Sequence, residues 1–531
     1  MSGHSKATYL LRAANEGNDA AVKQLLESED VDPNKPDRGG RTPLSWAVNN
    51  SHDRVVKLLL GWKDVDPNKA DRAGRTPLSW AAYYGKNEVV KLLLERWDVN
   101  PNMADEHGRT PLYFAVKRGF YGVVQLLLER EDVTADTENV IGQTPLLIAA
   151  DRGNLGLMKL LLGREDVNPG MANRFGRTPL LCAAERGRDA LVKLLLDRED
   201  VNPNIADSGG QTALAAATRL GRDGVVKLLL GRQNINRDIP DKLGRTPLLW
   251  AAANGSDTVM QLLLEQEDVN PNRTDIHGRT PLSLAANFGY RGVVKLLLGR
   301  KDVDPNMADI DDRTPLSWAA NYEHSEIVKL LLGRKDVDPN MADGSGRTPL
   351  LRAADCGHNE VVKLLLERGD VNPNMADKLG RTPLVCAAER GFYEVVQLLL
   401  EREDVPADIA DNLGKTPLMM ATKYGSHKLV ELLLRREDAN PNTADKLGRT
   451  PLFLAAERGN DQIVKLLLER EDVAPDIPDY NGQTPLVMAS RFGHYGVVQL
   501  LLERDDVSPY IPDYDGGRLS SRLLAPGMRE W

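Results

Sequence analysis

The dipeptide Thr-Pro returns every 34 residues, from Thr42-Pro43 through Thr76-Pro77 and Thr110-Pro111 to Thr484-Pro485, without one insertion or deletion. Only Thr212-Ala213 breaks the spelling. Thr8-Tyr9 holds the same register upstream, which gives 15 in-phase units, and a sixteenth would begin at Arg518. A fixed period of this length predicts a solenoid of stacked supersecondary units, not a set of independent globular domains. Length alone points to several domains at ~150 residues each; the unbroken register overrides it.

The unit from Asp71 to Asp105 shows how the period works. Gly74 supplies a residue free to take positive φ in a tight turn. Thr76 then caps a helix with its hydroxyl, and Pro77 occupies the first helical position, where its missing N–H costs nothing. Leu78, Ala81 and Ala82 predict a short inner helix whose small alanines admit the neighbouring unit, and Gly85 ends it. Val89, Val90, Leu92, Leu93 and Leu94 place one broad apolar face on a second helix, with Glu88, Lys91 and Glu95 on its solvated side. In Asp98-Val99-Asn100-Pro101-Asn102 the proline forbids helix, so this segment reads as a projecting loop. Two such helices cannot bury their leucines alone, and stacking supplies the missing core.

Asp71, the Gly74-Arg75-Thr76-Pro77-Leu78 turn, the paired alanines and the second-helix leucines resemble the ankyrin repeat. The resemblance implies an all-α ankyrin-repeat solenoid of about 15 helix-turn-helix units, continuous over 1–515, with 516–531 a degenerate repeat or capping tail. The tetratricopeptide pattern, which shares the period, is absent. Two departures stand out. The family's usual His after Thr-Pro-Leu, which ties adjacent loops, is replaced by Ser45, Ser79, Tyr113, Leu147 and Leu181, so that its bracing must be replaced or lost. The usual Gly-Ala after the second helix is missing, and the Asp64-Val65-Asp66-Pro67-Asn68 type of loop is longer. In these respects the chain looks like the arrays of filamentous fungi, which often form the C-terminal part of multidomain NTPase receptors resembling NOD-like immune sensors. Met1 opens in mid-repeat, as expected of an array cut from a longer gene.

The net charge of −9 and the lack of any basic block argue against nucleic acid, whose binding depends on Lys and Arg neutralising phosphates. No stretch approaches ~18 consecutive apolar residues and no signal-peptide core follows Met1. A cytosolic or nuclear protein off the membrane is therefore expected, most simply as a monomer. Cys182, Cys356 and Cys386 are expected as free buried thiols, because the helix positions shared by Cys182 and Cys386 lie six repeats apart and cannot meet. The sequence lacks a phosphate-binding Gly-rich loop, H-E-x-x-H, a paired C-x-x-C and a serine nucleophile elbow. His52, His324, His358 and His494 share one inter-helix turn position and are expected to be structural. No enzyme activity, metal or cofactor is expected.

What varies at fixed positions is more informative. The fourth, seventh and eighth residues after each Thr are free of the repeat's constraints and, by the resemblance, face a concave groove. Four of the seven tryptophans fall at the fourth position. Two clusters result: Trp46, Trp80, Tyr83, Tyr84 and Phe114, then Trp250, Phe288, Trp318 and Tyr322. Arg118, Arg152 and Arg186 follow at the eighth position. Aromatics and Arg dominate binding hot spots, which predicts a protein partner of unknown identity in the groove; the alternative is that the tryptophans pack as core against the next repeat. Met103, Met171, Met307, Met341 and Met375 at the loop tips would add an adaptable rim. The altered loops 132–141 and 231–240, together with Asp312 and Glu323 in place of glycines, mark the expected soft junctions. Residues 294–309 and 328–343 are identical, as recent duplication would leave them. The functional expectation is a non-catalytic interaction scaffold, with the ligand-sensing repeat portion of a NOD-like NTPase receptor as the alternative.

Overall fold

A computed structural model describes residues 3–28 and 31–508. Among them every element is an α-helix, in thirty segments running from Gly3–Glu16 to Tyr495–Leu502. The expected tail 516–531 lies outside the described residues. By packing, the chain divides into two compact units, residues 1–269 and 270–531, and each is built in the same way.

In the repeat read above, the inner helix runs Pro77–Tyr84 and the outer helix Asn87–Leu94. Thr76 sits in extended backbone with its hydroxyl accepting from the Ser79 N–H at 3.1 Å. Such a cap is worth about 1 kcal/mol. Gly85 closes the helix with φ +69°, and a Cβ there would meet the Phe120 ring of the next repeat at 2.7 Å. Glycine is thus required twice, by conformation and by close approach. On the outer helix only Val89, Val90 and Leu93 are fully buried, while Leu92 and Leu94 are half-buried. The apolar face is narrower than its five residues suggest, because each outer helix packs mainly on its own inner helix and on the adjacent outer helices. Within each unit, inner helices pack on inner helices of the adjacent repeat and outer on outer.

Three sets of hydrogen bonds join consecutive repeats. At the turn preceding each inner helix, Asp71 accepts the backbone N–H groups of Ala73 and Arg75, and the Arg72 N–H donates to Gly39 O at 3.0 Å in the repeat before. In the projecting loop, the Asn68 amide donates to Asp98 O at 2.7 Å while its oxygen accepts the Asn100 N–H at 2.8 Å. Asn34, Asn102, Asn306 and Asn340 repeat this two-way tie. After most outer helices, an arginine such as Arg130 reaches back to Leu94 O and Arg96 O while its Nε donates to Asp132 at 2.8 Å. It thereby satisfies helix C-terminal carbonyls left over in the preceding repeat. The repeated charges of this loop are not merely a solvated surface.

The irregular stretches fit this frame. Ala135 replaces the loop proline and Asp136 the ladder asparagine in 132–141; Arg237 and Asp238 do so in 231–240. Asp408 and Asp476 are further replacements, outside the stretches expected to be soft. Asp312 and Glu323, both at φ +59°, keep the left-handed backbone of the glycines they replace, as does Ser51 at φ +60°. Such residues cost roughly 1–2 kcal/mol each. Cys182 and Cys386 are buried and free as expected, but Cys356 is exposed at the eighth position of its repeat. Burial pushes the Cys386 thiol up to about 12 despite nearby Arg381, so it is unreactive near neutrality.

Candidate functional site

The inner-helix positions expected to face a partner separate into two classes. The eighth residue after Thr is exposed in every repeat from Asn50 to Phe492, with Arg118, Arg152, Arg186, Tyr84, Phe288 and Tyr322 among them. The fourth is instead buried or half-buried against its neighbours. Phe114, expected on the contact surface, is only 3% exposed and forms the floor under Tyr83, edge-on at 5.7 Å.

The tryptophans at the fourth position are neither free anchors nor plain core. The indole N–H of Trp46, Trp80 and Trp318 donates to the turn carboxylates Asp37, Asp71 and Asp309 at 3.0, 3.0 and 3.1 Å. The turn arginines Arg41, Arg75 and Arg313 lie over the ring faces at 3.8, 4.0 and 4.1 Å, within cation–π range. The Asp37 carboxyl is pushed up by burial, but the N–H groups of Arg41, Gly39 and the Trp46 indole outweigh that and hold it below its ordinary range. Each tryptophan thus straps its inner helix to its own turn.

A single carboxylate oxygen is the acceptor for these donors: at Asp309 it takes both the Trp318 indole and the Arg313 Nε at 3.1 Å, whereas in other turns one donor is left without a hydrogen bond. Where Trp80 takes Asp71, the buried Arg75 Nε lies 3.8 Å from that carboxylate and makes no hydrogen bond; where Arg352 takes Asp343, the Arg347 Nε likewise makes none. At Trp250 the outcome reverses: Arg245 holds Asp241 at 2.9 Å and stacks on the ring at 4.0 Å, and the indole N–H has no partner. Where the fourth residue is apolar, as at Phe114 and Leu284, the turn arginine takes the carboxylate directly, Arg109 at 2.8 Å and Arg279 at 2.9 Å.

Five of the expected residues come together in the first unit. Trp80 stacks on Tyr84 at 5.7 Å, Tyr83 meets Tyr84 edge-on at 5.0 Å, and the Arg118 guanidinium covers Tyr83 at 4.2 Å, with Phe114 beneath. Trp46, held in its own brace, makes no aromatic contact with this set among the described residues. Arg186 pairs with Asp151 at 3.1 Å, and Arg152 is simply exposed. The expected middle cluster is divided. Trp250 belongs to the first unit, whereas in the second Trp318 stacks on Tyr322 at 6.0 Å and Phe288 leans on Tyr290 at 5.9 Å. The loop methionines Met103, Met171, Met307, Met341 and Met375 are half-buried.

The histidines have the structural role expected. The Nε2 atoms of His52, His324, His358 and His494 lie 3.0–3.2 Å from the carbonyls of Asn15, Asn287, Asn321 and Glu457 in the preceding repeat. Among the described residues no group of three or more His, Cys, Asp or Glu side chains is placed to hold a metal ion, and no helix is long and apolar enough to cross a membrane.

The family model for ankyrin repeats (3 copies) matches in overlapping segments from residue 3 to residue 513: 3–71, 52–139, 96–171, 146–239, 233–309, 300–377, 369–445 and 425–513. The chain belongs to the ankyrin-repeat family, whose members generally mediate protein–protein interaction and are typically non-catalytic. Comparison with curated proteins gives no match.

Proposed function

We propose that the chain is a non-catalytic scaffold that binds a protein partner on its inner-helix face. The observation that carries this reading is the Trp80–Tyr83–Tyr84–Arg118 surface. Its rings are preorganised by stacking, yet Tyr84 remains 41% exposed. Rigid aromatic side chains beside arginine bind with little loss of conformational entropy. Trp318 and Tyr322, the latter 51% exposed, supply a second such surface in the 270–531 unit. Phe288, Trp250, Arg152, Arg186 and Trp46 provide the surrounding contacts, and the partner is a cytosolic or nuclear protein met by a monomeric chain.

The test is affinity capture with the immobilised chain, identification of the captured protein by mass spectrometry, and repetition with the Tyr83→Ala/Tyr84→Ala variant. Loss of the same protein from the second capture supports the reading, and its undiminished recovery contradicts it. The receptor alternative uses the same face as a sensor and differs only in what adjoins it. An in-frame nucleotide-binding domain upstream of Met1 in genomic sequence would favour it.

A further inference from the structure

The turns that precede the inner helices carry a second unpartnered surface, in the 270–531 unit. Leu379, Leu413 and Leu447 occupy the same turn position in three consecutive repeats and are 60%, 54% and 55% exposed. Tyr480 lies in the turn after them at 72%. Folding does not need these leucines. The same position holds Gly39, Ser345 and Asn481 elsewhere, and the turn closes identically: Ser345 N–H and Arg347 N–H bond Asp343 as Leu413 N–H and Lys415 N–H bond Asp411.

The row is also held rigidly. Leu379 O accepts the Asn412 N–H at 2.9 Å, Leu413 O accepts the Lys446 N–H at 2.9 Å, and Leu447 O accepts the Tyr480 N–H at 3.0 Å. Each leucine is therefore fixed in register with the next.

The charge beside the row is positive in a chain whose net charge is −9. Lys378 and Lys446 are exposed next to the leucines. Lys415 stands where the other repeats from Arg41 onward have Arg or Gln. Behind it, a small pocket of about 50 Å³ is lined by four cations, Lys415, Lys423, Arg449 and Arg458, against two carboxylates, Asp445 and Glu457. Asp377 and Asp445 are buried in their turns and paired with Arg381 and Arg449, Glu389 is also paired with Arg381, and Asp411 is half-buried and accepts the Leu413 and Lys415 N–H groups.

We infer that the row Leu379–Leu413–Leu447 with Lys378, Lys415 and Lys446 is a docking surface for an extended acidic polypeptide segment with an aliphatic side chain at every third residue. Packed helices lie ~10 Å apart, and a segment extended in the polyproline II conformation rises ~3.1 Å per residue with three residues per turn, so one turn of peptide spans one repeat and every third side chain faces the row. Acidic residues between the aliphatic ones then meet the lysines, where complementary charge favours association and orientation. The inference rests on the reading of the chain as a protein-binding scaffold, but it uses residues separate from the aromatic surface.

The experiment is fluorescence anisotropy of the full chain with a labelled peptide of repeated Leu-Asp-Glu triplets. Control peptides replace Leu by Ser, or Asp and Glu by Asn and Gln. Binding of the parent peptide is expected to fall about tenfold or more with either control, with Leu413→Ser/Leu447→Ser, and with Lys415→Glu/Lys446→Glu. Both variants should melt like the parent, and Tyr83→Ala/Tyr84→Ala should bind the peptide unchanged. Absence of binding, binding insensitive to the leucine variant, or equal affinity for the Leu-free acidic peptide would overturn the inference. None of these outcomes bears on the aromatic surface, whose own failure shows in partner capture.

Discussion

The loop edge of each repeat spells the same residues again and again, whereas the exposed inner-helix positions never settle on one. Asn34, Asn68, Asn102, Asn306 and Asn340 make the same pair of bonds to the next repeat. The eighth inner-helix position reads Tyr84, Arg118, Arg152, Arg186 and Leu220 in successive repeats, always exposed. The difference teaches where the two tasks reside: coupling between repeats sits in the constant edge and recognition in the variable face. The tryptophans at the fourth position do both, because the strap that ties helix to turn also holds a ring against its neighbours.

The sharpest way to break this division is to cut the edge. Asn306→Ala removes an amide that donates to Asp336 O at 2.6 Å and accepts from Asp338 N–H at 2.9 Å. A loss of about 2 kcal/mol is expected in chemical denaturation, with opening concentrated at the adjoining repeats in hydrogen exchange. A variant as stable as the parent would show that the ladder bonds merely decorate the stacking.

Nature has already altered the edge at Asp136, Asp408 and Asp476. In each, one carboxylate oxygen is buried without a partner, at the place where asparagine would offer its amide. Burial, followed by Asp166 and Glu138 around Asp136, by Asp438 beside Asp408 and by Asp506 beside Asp476, raises these carboxyls against the donors that reach them. A raised folded value means that protonation is favoured by folding. Their stabilising contribution is complete below the ordinary carboxyl range near ~4 and is lost as pH rises through the raised value. At neutral pH, converting all three to Asn should therefore gain about 1 kcal/mol per site. That advantage should shrink as the pH is lowered from ~7 towards ~4, and a gain independent of pH would refute the assignment. The depressed carboxyls, such as Asp105 beside Arg109, work in the opposite sense and lose their contribution at lower pH still.

A smaller effect is expected in the repeat that carries both Asp312 and Glu323 at positive φ. Glu323→Gly should raise stability by up to about 1 kcal/mol, since relief of the left-handed strain is partly offset by the greater freedom of glycine when unfolded. Melting of this variant beside Ser51→Gly checks the size.

Most of the fold was legible because its signals are local: Thr76, Pro77 and Gly85 state the start and stop of a helix within ten residues of sequence. The bonds between repeats were not, since they join residues 30 to 37 apart. Arg96, Arg130 and Arg164 recur at one loop position, and that constancy was the available sign of the carbonyl clamp. In the site, Tyr83, Tyr84 and Arg118 fell together as their spacing suggests. The burial of Phe114 and the Trp–Asp strap did not follow, because the first depends on packing under Tyr83 of the preceding repeat and the second on a turn carboxylate nine residues away. The leucine row is not legible in the sequence, because each leucine alone reads as one exposed apolar residue in a turn, and only the stacking of three repeats aligns them.

The division between edge and face is tested most directly by measuring melting and partner affinity together on Tyr83→Ala/Tyr84→Ala. The account predicts that melting stays close to the parent, since Tyr84 is exposed and Tyr83 half-exposed, while affinity for the captured partner falls by about thirtyfold or more. Parental affinity with parental melting would contradict it and remove the aromatic face as the site of recognition.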